Sequence, residues 1–312
     1  MLKKILVWTA IILLMLVVIP LLVFYQSDIP VEKLKVKYTN AESEFVNING
    51  MPIHFRDEGN PSDSVPLVLL HGTSASLLTW DSLSVRLKNN YRIVRFDLPA
   101  FGLTGPHPQK DYSIEMYLDV VKKMLANRQI KRCYLAGNSL GGLIAWRYAL
   151  KHPDQVQKLI LLDAAGYPVD GAKGNLGFNL ARIPVLNQLL RVITPRFLVR
   201  RSLYDVYGDD SKVTDALVEQ YYDLTCRAGN RQALIDRLRS GTIVPVEQIK
   251  EIKIPTLILW GDQDQLIPVK NAERFANDLP NDTLIILPGV GHVPMEETPE
   301  KVAVIMAAFL EK

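Results

Sequence analysis

Residues 132–142, with the sequence RCYLAGNSLGG, decide the fold of this chain. The first five of them predict a short buried strand, and residues 143–150 predict a buried helix that leaves it. Ser139 lies in the turn between them, with Gly137 and Gly141 two residues to either side. So tight a turn requires neighbours without bulk, and it exposes the serine hydroxyl next to the free N–H groups of a helix start. The pattern therefore predicts a nucleophile at Ser139.

Strand and helix signals alternate along the chain on both sides of this turn. Eight short, mostly apolar segments predict strands, and helical patterns separate most of them. The predicted strands are residues 45–49, 51–56, 67–70, 92–96, 132–136, 159–162, 256–260 and 284–287. Such alternation is typical of a doubly wound sheet with helices on both faces. We therefore predict an α/β fold with an eight-stranded, mainly parallel sheet.

One long interval, between Leu162 and Thr256, carries helical spacing and no convincing strand signal. It predicts a helical cap at residues 169–250. Such a cap would lie over the carboxyl ends of the strands, the edge at which open α/β sheets bind ligands. The sheet domain is then formed by two parts of the chain, residues 45–168 and residues 251–312.

The N-terminal segment, residues 1–27, predicts a membrane anchor. Residues 5–25 contain no charge and would form a helix of roughly 30 Å, enough to cross the hydrocarbon core of a bilayer. Lys3 and Lys4 favour a cytoplasmic N-terminus, with the rest of the chain on the exported, periplasmic or extracellular, side. The alternative is a cleaved signal peptide, but the apolar run is long for one and lacks a small-residue cleavage site. Residues 28–44, polar and mixed in charge, predict a linker.

Composition excludes several classes of function. The net charge of +3 is too small and too scattered for a nucleic-acid-binding protein. The two cysteines, Cys133 and Cys226, cannot form a disulfide framework, and their spacing does not resemble a metal site. The sequence contains no phosphate-binding loop and no nucleotide fingerprint. We therefore expect chemistry without a metal or a cofactor, and no nucleic-acid partner.

A serine nucleophile requires a base, and the base requires a group that orients it. His292 lies in a glycine-containing loop after the last predicted strand, and this loop returns to the sheet edge that carries Ser139. Asp262 and Asp264 follow the preceding strand at the same edge. We assign Asp264, further into the loop, to the ring of His292, and Asp262 to the turn itself. Asp163, at the end of the strand before the cap, is a third candidate for the acid.

The developing oxyanion of a tetrahedral intermediate requires hydrogen-bond donors. The first donor that we predict is the backbone N–H of Leu140, directly after the nucleophile. The second is the backbone N–H of Thr73, in the loop after strand 67–70, where Gly72 permits close approach. His71 in the same loop is a competing base, but we interpret it as a residue that shapes the loop.

From about residue 45 to its end, the chain resembles the serine hydrolases of the α/β-hydrolase fold. Five motifs occur in the order and at the spacings of that family, and together they are highly specific. They are His71-Gly72, residues 97–102 (DLPAFG), residues 137–142 (GNSLGG), residues 261–264 (GDQD) and Gly291-His292. Ala100 departs from the glycine that the family usually has, in a turn away from the chemistry. The resemblance implies a triad in the order Ser139, Asp264, His292.

Within this family the chain is most similar to membrane-anchored bacterial esterases and lipases and to monoacylglycerol lipase-like enzymes. This likeness implies a serine carboxylic-ester hydrolase for lipid-like or short to medium acyl esters, with no cofactor and with the membrane as a partner of the N-terminal helix. A second likeness is to the carbon–carbon bond hydrolases of aromatic ring degradation, which cleave dienone products. It ranks lower, because those enzymes usually have tryptophan where this chain has Val293. A noncatalytic ligand-binding module is the remaining alternative, and the complete triad argues against it.

Overall fold

A computed structural model describes residues 2–61, 63–169, 183, 186–241 and 245–312. Its eight strands form one sheet. They are β1 (Ser43–Ile48), β2 (Met51–Gly59), β3 (Leu67–Leu70), β4 (Arg92–Phe96), β5 (Cys133–Asn138), β6 (Val156–Leu162), β7 (Thr256–Gly261) and β8 (Asp282–Leu287). In the strand order β1-β2-β4-β3-β5-β6-β7-β8, β2 runs antiparallel to both of its neighbours and all other pairs are parallel. The predicted eight-stranded, mainly parallel sheet is therefore confirmed.

Helices lie on both faces of the sheet. The α-helices of the described residues are α1 (Leu2–Phe24), α2 (Val31–Tyr38), α3 (Asp81–Leu87), α4 (Ile114–Asn127), α5 (Leu140–Lys151), α6 (Leu186–Leu190), α7 (Arg196–Tyr204), α8 (Asp215–Thr225), α9 (Asn230–Arg239), α10 (Lys270–Asp278), α11 (Pro294–Glu297) and α12 (Pro299–Leu310). Helices α4, α5 and α10 contribute to one apolar core cluster, and α3 and α12 contribute to the other. Val68 and Leu70 of β3 belong to the first cluster, and Leu67 and Leu69 belong to the second. The continuous apolar sequence of β3 thus reflects burial on both faces.

The carboxyl ends of the parallel strands meet at one edge of the sheet, and the segments after them carry the predicted chemistry. Strand β5 ends one residue before Ser139, and β6 ends one residue before Asp163. The segments after β7 and β8 carry Asp264 and His292, and the loop after β3 carries Thr73. This topology brings residues that are far apart in the sequence to a single edge, where open α/β sheets place their ligands.

The chain between β6 and β7, called the insertion below, contains helices α6 to α9. The guanidinium group of Arg227 donates to the carbonyl oxygens of Leu103 and Thr104, each at 3.2 Å. Asn230 Nδ2 donates to the carbonyl oxygen of Gly102 at 3.0 Å. These buried contacts hold the insertion against the loop that follows β4. Residues 170–182, 184, 185 and 242–244 of the predicted cap lie outside the described residues, and its boundaries stay predictions.

The predicted linker differs from the structure, because residues 31–38 form helix α2. Leu34 and Tyr38 are buried in a small apolar cluster with side chains of the sheet domain and the insertion. Tyr38 OH and Lys37 Nζ each donate to Asp223 Oδ2 at 2.8 Å. Eight residues are too few to form a stable helix in isolation, so these tertiary contacts determine the structure of the segment.

Helix α1 presents apolar side chains that are exposed, among them Trp8, Ile12 and Leu22. Directly after it, the N–H of Gln26 donates to the carbonyl oxygen of Val192 in the insertion at 2.8 Å. Several side chains of α1 lie outside the described part of the chain, and within that part no helix combines the length and apolar character needed to cross a membrane. The predicted transmembrane helix is therefore not supported by the structure.

Candidate active site

Ser139 occupies the turn between β5 and α5 in a backbone conformation that residues other than glycine rarely adopt. Its φ is 53°, in the left-handed region. A Cβ at Gly137 would lie 2.2 Å from the carbonyl oxygen of Gly141, and a Cβ at Gly141 would lie 2.1 Å from the carbonyl oxygen of Leu70. Both positions therefore accept only glycine, which explains the spacing in the sequence. Ser139 is also the N-cap of α5, so the partial positive charge of the helix N-terminus lies beside it.

His292 and Asp264 form a buried hydrogen-bonded pair, in which His292 Nδ1 lies 2.6 Å from Asp264 Oδ2. The other carboxylate oxygen, Oδ1, accepts from the backbone N–H groups of Leu266 and Ile267 at 2.8 and 3.0 Å. The carboxylate is thereby held by its own loop and fixes the ring tautomer in which Nδ1 carries the proton. That tautomer leaves Nε2 as the basic nitrogen.

Asn138, the residue before Ser139, links the two halves of the site. Its Nδ2 donates to the carbonyl oxygen of His292 at 2.9 Å and to that of Leu162 at 3.1 Å. The N–H of Ser139 donates to Leu162 O at 3.1 Å, and the carbonyl oxygen of Ser139 accepts from the N–H of Ala165 at 2.9 Å. The turn with Ser139 and the loop with His292 are therefore one hydrogen-bonded unit. Sequence reasoning gave Asn138 no role, because no local pattern shows which distant carbonyl groups its amide reaches.

The loop after β3 approaches the nucleophile turn closely. A Cβ at Gly72 would lie 3.1 Å from Ser139 Cβ and 2.9 Å from Asn138 Oδ1, so the backbone next to Thr73 passes close to the serine. Within the described residues, neither the N–H of Thr73 nor that of Leu140 donates a hydrogen bond. Two unused backbone donors near the serine are what a developing oxyanion requires.

His71 is fully buried, and both of its ring nitrogens are used within the loops. Nδ1 donates to the carbonyl oxygen of Gly72 at 2.8 Å, and Nε2 accepts from the N–H of Leu98 at 2.9 Å. Burial lowers the pKa of His71, which favours the neutral ring that this pattern needs. His71 thus joins the loop after β3 to the loop after β4 and offers no free nitrogen to Ser139.

Asp163 is the buried neighbour of the His292–Asp264 pair. Its Oδ1 accepts from the N–H of Gly261 at 2.9 Å, while its Oδ2 has no donor among the described residues. Burial and, after it, the charge of Asp264 raise the pKa of Asp163 well above its usual range. With a proton on Oδ2, Asp163 can itself donate there and no longer requires a donor. We therefore interpret Asp163 as a neutral neighbour of Asp264 and not as the acid that orients His292.

Within the part of the chain that the structure describes, Asp163, Asp264 and His292 form the one cluster of side chains that could bind a metal ion. Single nitrogen or oxygen atoms of Asp163, Asp264 and His292 lie within 4.8 Å of one another. Because His292 Nδ1 and Asp264 Oδ2 share a hydrogen bond, we interpret the group as a hydrogen-bonded network and not as a metal cage.

Replacing Asp163 with asparagine is expected to stabilise the protein increasingly as the pH rises. The folded state holds the Asp163 proton more tightly than the unfolded chain, whose aspartates titrate near about pH 4. The stability of the unaltered protein therefore falls as the pH rises above that value, until the raised pKa of the folded state is passed. Asparagine keeps an acceptor for Gly261 and carries no charge, so it avoids this loss. Urea unfolding of both proteins between about pH 4 and 8 measures the difference, and a constant offset contradicts the assignment.

A second Ser–His–Asp series involves β1 and β2. His54 Nδ1 lies 2.8 Å from Asp97 Oδ2, and His54 Nε2 lies 3.2 Å from Ser43 Oγ. Ser43 Oγ also accepts from Arg56 Nε at 3.0 Å and donates to Asn40 Oδ1 at 3.0 Å. Asn40 Oδ1 is thus a second acceptor for the hydroxyl proton, at a shorter distance than the imidazole, and Ser43 lies in β1, away from the edge that carries Ser139. We interpret this series as a structural connection between the sheet edge and the loop after β4.

A small cleft lies between the loops after β3 and β4 and the insertion. Its lining includes Ser74, Ala75, Phe101, Gly102, Leu224 and Asn230. The wall is mostly apolar and both the sheet domain and the insertion contribute to it. The cleft begins one residue after Thr73, so it borders the predicted oxyanion donors.

The chain is similar to known proteins over most of its length. The uncharacterized hydrolase YugF of Bacillus subtilis (strain 168) is 28% identical over 269 residues, which cover 85% of this chain and 96% of that protein. A 2-hydroxy-6-oxo-6-(2'-aminophenyl)hexa-2,4-dienoic acid hydrolase of Metapseudomonas resinovorans is 25% identical over 297 residues, which cover 90% of this chain and 95% of that protein. The solved structure of a membrane phospholipase A, a bacterial virulence factor, is 27% identical with a TM-score of 0.74, and the match covers 99% of this chain and 97% of that one.

The match to a family extends over most of the sheet domain and the insertion. Residues 67–305 match the alpha/beta hydrolase family. This segment begins with β3, ends within α12 and includes Ser139, Asp264 and His292. The topology of the sheet and the hydrolase relatives agree with it. The chain therefore belongs to the alpha/beta hydrolase family.

Proposed function

We propose that this chain is a serine hydrolase that cleaves carboxylic esters with lipid-like or short to medium acyl chains. The observation that carries the proposal is the buried contact of 2.6 Å between His292 Nδ1 and Asp264 Oδ2. Through Asn138, this pair is joined to the left-handed turn at Ser139. Membership of the alpha/beta hydrolase family and the hydrolase relatives support the proposal.

In the proposed mechanism, Ser139 Oγ attacks the acyl carbon while His292 Nε2 takes the hydroxyl proton and Asp264 holds Nδ1–H. The N–H groups of Thr73 and Leu140 stabilise the oxyanion of the tetrahedral intermediate, and one such donor contributes roughly 2.7–4 kcal/mol. His292 then gives its proton to the departing alcohol, which leaves an acyl-enzyme. Water attacks the acyl group with the same imidazole as base, and the acid is released.

Carbon–carbon bond hydrolysis of a dienone-type product is the second candidate, and the dienoic acid hydrolase from Metapseudomonas resinovorans favours it. The membrane phospholipase A favours the ester, because its similarity extends over nearly the whole chain. Val293, in place of the tryptophan usual in the carbon–carbon bond hydrolases, also favours the ester. We therefore rank ester hydrolysis first.

A series of p-nitrophenyl esters from acetyl to palmitoyl tests the proposal on the full-length protein in detergent. We expect turnover that disappears in Ser139→Ala, and the preferred chain length separates an esterase from a lipase. A coloured dienone substrate is tested on the same preparations. Bleaching of this substrate without ester turnover would contradict ester hydrolysis and favour carbon–carbon bond hydrolysis. Absence of both, together with no fluorophosphonate labelling of Ser139, would favour a noncatalytic ligand-binding module.

We further propose that α1 attaches the protein to a membrane, with the N-terminus in the cytoplasm and the sheet domain on the exported side. Exposed apolar side chains along α1 support the attachment, and Lys3 and Lys4 in its first turn support the orientation. A variant that begins at Tyr25 loses the helix and keeps the hydrogen bond between Gln26 and Val192. We expect only the full-length protein to stay in the membrane pellet after an alkaline carbonate wash. Protease added to spheroplasts should degrade the sheet domain, and protection would contradict the orientation.

A further inference from the structure

A buried carboxylate that the proposed mechanism does not use, Glu297, joins the insertion to the loop that carries His292. Its Oε2 accepts from the N–H of Gly291 at 2.8 Å and from the N–H of Gly208 at 3.1 Å. Its Oε1 accepts from the N–H of Asp209 at 3.0 Å. Two of the three donors belong to the insertion, and the third belongs to the residue directly before His292.

The same two segments also meet through their main chains. The N–H of His292 donates to the carbonyl oxygen of Val206 at 2.7 Å. A Cβ at Gly208 would lie 2.6 Å from the carbonyl oxygen of Gly289, and a Cβ at Gly291 would lie 2.4 Å from the carbonyl oxygen of Val206. Approach this close requires glycine at both positions. The loop with His292 therefore rests directly on the backbone of the insertion.

His292 is fixed at both of its backbone groups by distant parts of the chain. Its N–H is bonded to Val206 in the insertion, and its carbonyl oxygen is bonded to Asn138 in the nucleophile turn. Displacing the insertion would break the bond to Val206 and the bonds of Glu297 to Gly208 and Asp209 at the same time. These contacts hold the backbone of His292 and thereby the position of its imidazole. A misplacement of about 1 Å in an active site can cost on the order of 10²-fold in rate.

We propose that Glu297 is a positioning residue for His292, and that residues 206–209 of the insertion stay docked during turnover as a fixed part of the active site. This inference rests on the proposed function, because that function gives His292 the role of base. A carboxylate suits the task, since hydrogen bonds to a charged acceptor are stronger than those to a neutral one.

Glu296, the preceding residue, offers a matched control. Its Oε2 accepts from Tyr207 OH at 2.5 Å, its Oε1 accepts from Tyr221 OH at 2.7 Å, and the hydroxyl of Thr79 also donates to it. Burial raises the pKa of Glu296, although these hydroxyls act to lower it. Hydroxyl groups can donate or accept, so glutamine at position 296 can keep all three bonds if one hydroxyl reverses. The partners of Glu297 are N–H groups that can only donate, so glutamine there places an NH₂ group against one of them.

We expect Glu297→Gln to lower kcat on the order of 10²-fold with KM changed by less than about threefold, while Glu296→Gln keeps kcat. Both full-length variants are measured on the ester that the unaltered protein hydrolyses, and thermal unfolding establishes that each is folded. Gly208→Ala is a second variant, since its Cβ would displace residues 206–209 without changing the carboxylate. It should show the same selective loss of kcat. Equal losses in the two glutamine variants, or changes confined to KM or the unfolding temperature, overturn the inference.

The proton NMR signal of the His292–Asp264 hydrogen bond separates this inference from the proposed function, because it is recorded without substrate. We expect a far-downfield resonance in the unaltered protein and in Glu296→Gln, and its shift or loss in Glu297→Gln and Gly208→Ala. If the unaltered protein hydrolyses no ester, the proposed function fails while the resonance still tests the inference. A resonance unchanged in Glu297→Gln and Gly208→Ala overturns the role of Glu297.

Discussion

Replacing Ser139 with alanine is expected to lower kcat for ester hydrolysis by on the order of 10⁶-fold, because the reaction loses the atom that forms the acyl-enzyme. The change removes one oxygen and keeps Cβ. The backbone bonds of residue 139 to Leu162 and Ala165 do not involve the side chain, so we expect the fold to be unchanged. Steady-state hydrolysis measures the loss, and fluorophosphonate labelling should disappear with it. A loss of less than about tenfold would place the nucleophile elsewhere.

His292→Ala provides the matched test that the serine and the imidazole act as one unit. Alone it should lower kcat by the same order as Ser139→Ala, because an alkoxide is not formed without a base. The double variant should then be about as active as either single variant, since neither group works without the other. Losses that multiply would indicate independent roles and would contradict the proposed mechanism.

The turn at Ser139 could be predicted from the sequence because its geometry leaves a local signature. The contacts of Gly137 and Gly141 with neighbouring carbonyl oxygens forbid any side chain at either position, so the spacing of the two glycines records the turn. In the same way, the continuous apolar sequences of the strands indicate burial on both faces of a parallel sheet. Because these strands are parallel, the segments that follow them, with Asp264 and His292, lie at the same edge of the sheet as Ser139.

Contacts between distant parts of the chain could not be predicted in this way. Asn138 and Glu297 act on backbone groups far away in the sequence, and no spacing or periodicity indicates such partners. Helix α2 was missed for the same reason, since the burial of Leu34 and Tyr38 against other elements determines it. Asp163 was ranked third as the acid from its place at a strand end. Only the hydrogen bond of Asp264 to the imidazole and the raised pKa of Asp163 separate the two aspartates.

Replacing Asp264 with asparagine is expected to lower kcat by on the order of 10⁴-fold through the tautomer of His292. The N–H groups of Leu266 and Ile267 require an acceptor at the position of Oδ1. The asparagine oxygen therefore takes that position, and its NH₂ group faces Nδ1 of His292. The ring must then accept at Nδ1 and carry its proton on Nε2, where it cannot take the proton of Ser139. Hydrolysis measured at several pH values should show the loss throughout the range.

Asp262→Asn is the matched control, with the same change in the same loop. Asp262 is exposed, and its Oδ1 accepts from the N–H of Gly289 at 2.8 Å, a bond that asparagine keeps. We expect kcat within about threefold of the unaltered protein, as for most surface substitutions. Asp163→Asn should also retain activity, because asparagine reproduces the neutral form and keeps the bond to Gly261. If instead Asp163→Asn were inactive and Asp264→Asn active, the orienting acid would be Asp163. We expect the reverse, because the contact of 2.6 Å with the imidazole belongs to Asp264.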